Sequence, residues 1–550
     1  MSTIDAMHAL FLRQSMEDCY SDFDYIRTHR RAVTWDDLVV TASNEAQARA
    51  YRLQIQYRLD RGFLPRQTHY HVIPDPEGRR VGSGGATLHV LCELAARQGY
   101  DAPFEGRRIL VLHSGGDSKR VPQYSACGKL FSRVPRALPD GRASTLFDEF
   151  CIALAGVPAR MSSGMLVMSG DVLLLFNALQ VDLGLQGAAC LSIKAPVETG
   201  THHGVFLSDE EGLVRHFLHK LPVEKLEALG AVNAQRAVDI DTGAIWLDTR
   251  VMDALYGLVG GKTGVRTADF QRFVNEKVRL NFYGDFLYPM ASGATLESYL
   301  HEPAENQPSE ELHACRLALW ETLHQVRLRL IRMSPAKFIH FGSTRELRTL
   351  MQEGERSFGF LDWRSEVQSV GVRNGAITAI NCEIAPDAQV CTGCYLEDSR
   401  VCAGARIGEG CVLSNVDFSG ILPADTVLHA VQLMDGRVVA RIYGVADNPK
   451  AGLDGSWLST TLTALMRGNA LRDAEIFAGT EQTLWTARLY PVGANAAEAL
   501  QGAFCALHMA EGTATAEECA AWRTAERWSL QESFEKADVQ AMITWQTELE

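Results

Sequence analysis

The stretch His113-Ser-Gly-Gly-Asp-Ser-Lys-Arg-Val-Pro122, running on to Gly128-Lys129, constrains this chain more than any other. In front of it stands Arg107-Arg-Ile-Leu-Val-Leu-His, an apolar run of strand length. A buried strand that breaks into glycines and then into cations suits a phosphate cradle. Glycine lets backbone N–H groups approach an anion closely, and a concave run of such donors binds phosphate oxygens. Arg120 and Lys129 add full positive charges at reachable spacing. The string is not a Walker A loop, which needs four residues between its glycine and Gly-Lys-Ser/Thr. It also lacks the Gly-x-Gly-x-x-Gly dinucleotide fingerprint.

At 550 residues the chain should hold several domains, on a prior of about 150 residues each. It is 46% hydrophobic and 22% charged, ordinary for a soluble globular protein. The formal charge of −14 argues against nucleic acid or an anionic membrane as the main partner. An acidic protein that handles phosphates must concentrate its cations locally. No apolar run approaches the ~18 residues of a membrane span. The first twenty residues lack the basic-then-apolar order of a signal peptide. Thirteen cysteines without an export signal read as reduced thiols, and the expected compartment is the cytoplasm. Cys391 and Cys394 form a C-x-x-C with Cys382, Cys402 and Cys411 nearby. Small residues filling a coil interior is the reading preferred here to a zinc site.

Residues 1–30 have helical spacing, Trp35 to Ser43 reads as a strand ending in a turn, and a capped helix opens at Ser43. Strand, turn and helix suggest the first unit of a mostly parallel α/β sheet. A second glycine string, Gly82-Ser-Gly-Gly-Ala-Thr87, precedes apolar helix residues. It is either an anion or base-edge site at a helix start or a loop made of glycine for steric reasons. Gly164-Met-Leu-Val-Met-Ser-Gly-Asp171 is a buried strand ending in one carboxylate, which is either a place to hold Mg²⁺ or part of a turn or helix cap. Residues 201–222 alternate as a hairpin. From about 361, Ile384, Val390, Leu396, Val401 and Ile407 recur at close to six residues between small and polar positions. That period suggests a parallel β-helix. From about 450 the chain reads as mainly helical.

Gly-Gly, Arg, Pro and Gly-Lys at this spacing resemble the signature loop of sugar-phosphate nucleotidyltransferases. The fuller string, with Ser125-Ala-Cys-Gly-Lys-Leu-Phe131, resembles the fucose-1-phosphate guanylyltransferase (GDP-fucose pyrophosphorylase) family, including the pyrophosphorylase half of bifunctional fucokinase/guanylyltransferases. The resemblance implies an α/β fold. A Rossmann-like nucleotidyltransferase domain over 1–360 would be followed by a short left-handed parallel β-helix over 361–447 and a helical region over 448–550. It implies that L-fucose 1-phosphate and GTP give GDP-L-fucose and pyrophosphate, with Mg²⁺ as cofactor. Gly82, Ser83, Gly84, Gly85 and Thr87 match the family's first glycine loop and, with Gly115, Gly116, Asp117 and Ser118, are expected to bind the nucleotide.

Arg120 and Lys129 would take the triphosphate and the leaving pyrophosphate. Lys220 would orient the sugar phosphate. His203, Gly204 and the Asp-Thr-Gly strand residues Asp241, Thr242 and Gly243 would lie under the sugar. Asp171 would hold the metal, with Asp285 of the Tyr-x-Asp segment as a second candidate for metal, substrate or a plain structural role. No kinase-type glycine loop appears, so fucokinase activity is not expected on this chain, while assembly into a homo-oligomer is open. Three rivals remain: a pyrophosphorylase for another sugar or base, a regulatory homologue that binds a nucleotide sugar, and a scaffold or acyltransferase built on the coil.

Overall fold

Asp37–Ala42 (β1) is buried at every position, which a strand manages only with neighbours on both edges and cover on both faces. In the computed structural model, which describes residues 3–373 and 375–550, β1 pairs in parallel with His69–Pro74 (β2) on one side and Arg108–His113 (β3) on the other. Gly164–Ser169 (β4) continues the parallel run beside β3. The sheet then turns antiparallel. Ala237–Leu247 (β8) pairs with β4, with Ala188–Pro196 (β5) and with Gly204–Ser208 (β6). The hairpin expected over 201–222 is present, since β6 pairs antiparallel with Val214–His219 (β7). Leu328–Arg332 (β9) returns in parallel beside β5. The helix Gly82–Gln98 packs its buried Leu88, Leu91 and Leu94 into a core shared with Val111, Val167 and Ile245. The protein is therefore mixed α/β.

By packing, the chain forms two compact units: residues to Gly115 with Phe150–His340, and Gly116–Glu149 with Phe341–Glu550. In the second unit Thr378–Ile384 (β10), Tyr395–Val401 (β11), Val412–Ser414 (β12) and Thr426–Gln432 (β13) pair successively in parallel. A short parallel ladder joins Gln389–Val390, Arg406–Ile407 and Ile421–Leu422. The register steps 17 residues, Thr378 to Tyr395 to Val412, one fewer than three six-residue repeats. Asn381, Asp398 and Asn415 fall at equivalent bends with φ of 55°, 47° and 52°. Asn and Asp tolerate the left-handed region better than other side chains bearing a Cβ.

Val438–Gly444 (β14) lies antiparallel to β13, and Tyr490–Gly493 adds to β14. Beyond 450 the helices are as expected, Ala496–Glu511 being the longest. The strands at 490–493 and Arg527–Trp528 were not foreseen.

Candidate functional site

In the first unit the loops after β3 and β4 leave the same end of the sheet and are tied together there. Gly170 N donates to His113 O at 2.9 Å, and Ser114 N donates to Thr41 Oγ1 at 3.1 Å. Asp171 thus lands at the carboxyl edge of the parallel strands, where Ser169 Oγ donates to its Oδ1 at 2.7 Å. The antiparallel β8 brings its Asp-Thr-Gly to the same edge, because Ala244 pairs with Met168 of β4. The β5–β8 register shifts between Asp241 and Ala244, a bulge that re-aims the Asp241 side chain. Gly243 has φ +72°, and a Cβ there would stand 2.9 Å from Ser169 Cβ. Its N–H donates to Asp241 Oδ1 at 2.8 Å. Burial pushes the Asp241 carboxyl up to about 6, against the lowering effect of that N–H. Asp171 and Asp241 are held by Ser169 and Gly243, whose backbones meet.

Three basic side chains gather beside this acidic pair. His340 Nε2 is 3.7 Å from Asp171 Oδ2. The His203 and His340 rings lie 6.0 Å apart, with Phe338 packed 5.1 Å from His203. Burial, then the charges of His340, Lys220 and His202, lower the His203 pKa. Lys220 is exposed directly after β7, at φ 51°. Thr242 turns away, its hydroxyl donating to Leu191 O at 2.6 Å within the sheet. Gly204 lets Phe217 approach, since a Cβ would stand 2.6 Å from the Phe217 ring.

Asp285 is occupied elsewhere. It is 2% exposed, Arg316 Nε donates to its Oδ1 at 2.8 Å, and Asn281 N donates to its Oδ2 at 2.7 Å. Among the described residues no group of three or more His, Cys, Asp or Glu side chains gathers as a metal site. The cysteines of the coil divide: Cys382, Cys394 and Cys411 are buried, and Cys391 is exposed.

The first glycine loop has a steric account. A Cβ on Gly82 would lie 2.3 Å from Leu280 O, and one on Gly84 3.1 Å from it. Gly84 N donates to Leu280 O at 2.8 Å, and Phe282 N donates to Ser83 Oγ at 2.9 Å. A Cβ on Gly85 would stand 3.1 Å from Val81 Cβ. Thr87 donates its hydroxyl to Ser83 O at 2.9 Å, and its Oγ1 stands within hydrogen-bond distance of His113 Nε2, at 3.1 Å. Burial lowers the His113 pKa to about 4, so its imidazole is neutral.

The rest of the signature loop belongs to the second unit. Gly116 is exposed, and no described atom lies within 4 Å of where its Cβ would stand. Asp117 Oδ2 faces Lys119 Nζ at 4.0 Å, and Ser118 takes φ 55°. Lys119 also meets Glu481 at 3.7 Å and lies 5.5 Å from the Trp485 ring centroid. Arg120 is exposed, while its carbonyl accepts from Thr344 N at 2.9 Å. Lys129 opens the short helix Lys129–Phe131 at partial exposure.

Between Arg120 and Lys129 the loop is fastened at Pro122, Gln123, Tyr124 and Ser125. Arg441 donates to Pro122 O at 2.9 Å and Ser125 Oγ at 3.1 Å. Tyr443 OH donates to Gln123 Oε1 at 3.2 Å. Tyr124 OH donates to Glu397 Oε2, which also accepts from Tyr395 OH at 2.6 Å. Further on, Arg133 forks onto Asp398 at 2.5 and 3.1 Å.

His340 and Arg441 were missed by sequence reasoning. His340 sits beside Asp171 because its strand pairs with Val172–Leu175, a register no local pattern announces. Arg441 is a lone charge in an otherwise apolar, buried strand.

An acidic sheet edge faced by histidines and a lysine, in a chain that also carries a glycine-bearing basic loop, defines an α/β protein equipped for phosphorylated ligands. Residues 102–495 match the family model described as the fucose pyrophosphorylase domain, and the chain belongs to that family. It is 28% identical to human fucose-1-phosphate guanylyltransferase, over 84% of this chain and 82% of that protein. The mouse fucose-1-phosphate guanylyltransferase is 27% identical, over 84% and 85%. The bifunctional fucokinase/GDP-fucose pyrophosphorylase of Arabidopsis thaliana is 25% identical over 92% of this chain and 51% of that protein.

Proposed function

We propose that this chain is a fucose-1-phosphate guanylyltransferase, forming GDP-L-fucose and pyrophosphate from L-fucose 1-phosphate and GTP. The observation that carries the reading is the family match over residues 102–495, a span that contains the signature loop, Asp171, His203, Lys220, Asp241 and His340. The parallel order β2-β1-β3-β4, with the acids at its carboxyl edge, supports reading the first unit as a Rossmann-like nucleotidyltransferase domain. The parallel ladders from 378 to 432 support a short left-handed β-helix in the second.

In this mechanism a sugar-phosphate oxygen attacks the α-phosphorus in line with the departing pyrophosphate. No covalent intermediate with the protein is needed, so the residues work by positioning and by stabilising charge. Arg120 and Lys129 take the triphosphate and the leaving pyrophosphate. Gly115 and Gly116 offer backbone donors, with Asp117, Ser118 and the segment Gly82–Thr87 bordering the nucleotide. Lys220 and His203 orient the sugar phosphate, and Gly204, Asp241 and Gly243 floor the sugar, with Thr242 turned into the sheet instead.

The donor set fits Mg²⁺: Asp171 and Asp241 offer hard carboxylate oxygens, and Mg²⁺ takes one or two of these plus substrate phosphates. The raised Asp241 pKa is what a carboxylate awaiting a cation would show. A bound ion would offset charge on the transferring phosphates. Asp285, committed to Arg316, is left out of that set. Pyrophosphate release from GTP, assayed with and without L-fucose 1-phosphate and Mg²⁺, tests the reading. Release should require both, and none under any condition would reject it.

A further inference from the structure

Arg441, on β14, is fully buried and holds the signature loop without an acid to pair with. Its guanidinium donates to Pro122 O, Ser125 Oγ, Leu530 O at 3.3 Å and Ser533 Oγ at 3.2 Å, and its Nη2 stands 3.2 Å from His429 Nδ1. Burial keeps His429 neutral, so every partner is uncharged. Among the described residues no carboxylate forms an ion pair with it. Burying a charge is costly even when it is paired, and an apolar side chain of similar volume is often as stable or more so. Stability alone therefore gives poor reason for an arginine here.

The planar fork does what a lysine or an apolar residue cannot. It ties two points of the loop, Pro122 and Ser125, to two points of the helix Leu530–Glu535. Both loop contacts fall between Arg120 and Lys129. We propose that Arg441 is a positioning residue for the transfer step, setting the spacing and aim of Arg120 and Lys129 by fixing the segment between them. The inference rests on the reading of Arg120 and Lys129 as the cations that meet the triphosphate.

The test uses the full chain, with Arg441→Lys, Ser533→Ala and Arg120→Ala, and the double variant Arg441→Lys/Arg120→Ala. Folding is checked by thermal midpoint, and kcat and KM for both substrates are measured well below it. Arg441→Lys should lower kcat at least ~10-fold and leave KM for the sugar phosphate within about twofold, since small misplacements of catalytic groups cost up to about a hundredfold. Ser533→Ala, which removes one acceptor of the fork, should fold normally and lose roughly two- to fivefold in kcat. In the Arg120→Ala background the cost of Arg441→Lys should shrink, because residues acting through one another are non-additive.

A folded Arg441→Lys enzyme with wild-type kcat overturns the proposal, as does full additivity with Arg120→Ala. If Arg441→Lys does not fold, wild-type turnover of Ser533→Ala overturns it instead. An impaired Arg120→Ala beside a normal Arg441→Lys rejects the positioning role alone, whereas a normal Arg120→Ala rejects the site reading beneath it.

Discussion

Two aspartates that look alike in sequence part company through what stands beside them. Asp171 is tied to a hydroxyl at an exposed sheet edge, and Asp285 is closed in with Arg316. Asp171→Asn is expected to fold normally and lose at least ~100-fold in turnover, as loss of a main charge-stabilising group does. Asp285→Ala is expected to destabilise by about 3–5 kcal/mol in urea denaturation, because it strands a buried guanidinium. Any enzyme recovered from it should respond to added Mg²⁺ as the wild type does. Arg120→Ala or Lys129→Ala should each raise the transition-state barrier by about 3 kcal/mol, read from kcat/KM. Asp171, Lys220 and the loop cations were singled out from local strings. The partner that occupies Asp285 is 31 positions away on another helix, and His340 reaches Asp171 only through strand pairing. No one-dimensional pattern carries either fact.

At the scale of loops and strands, the two glycine strings have different physical causes. Gly82 sits at φ +78° against Leu280 O, so Gly82→Ala should cost about 2–4 kcal/mol of stability from strain and overlap. Gly116 has open space around its absent Cβ. Gly116→Ala should leave stability within about 0.5 kcal/mol while lowering turnover, which denaturation and kinetics read side by side. The coil adds a pH dependence. Burial, then the neighbouring Asp398, raises Glu397 from 4.5 to about 7, while Tyr124, Tyr395 and Ser414 hydrogen-bond it. The folded state keeps a proton there that the unfolded chain releases, so stability falls as pH rises from about 4.5 to 7 and levels off above. The urea midpoint of the wild type should fall more between pH 5 and 8 than that of Glu397→Gln. The successive parallel strands from 378 to 432 lie where the aliphatic spacing pointed. Their 17-residue step appears in the sequence as the five-residue interval from Leu396 to Val401, among sixes.

Across the whole molecule, packing does not follow the order of the chain. Residues 116–149 group with Phe341–Glu550, although 191 residues of the other unit, Phe150–His340, intervene. A shortened chain ending at residue 360 would leave buried Leu130, Phe131, Val134 and Phe147 without most of their unit. It is expected to be insoluble or inactive, as solubility and pyrophosphate release would report. Composition and periodicity change near 361, so a linear boundary is what a sequence offers; a segment that crosses back leaves no compositional mark. The route of the backbone at Gly115–Gly116 has a practical corollary for recombination between relatives. A chimaera joined near residue 340 would inherit its loop from one parent and the socket around Arg441 from the other. A functional crossover near 340 in this family should therefore be accompanied by two more, one on each side of 116–149, so that loop and socket come from one parent.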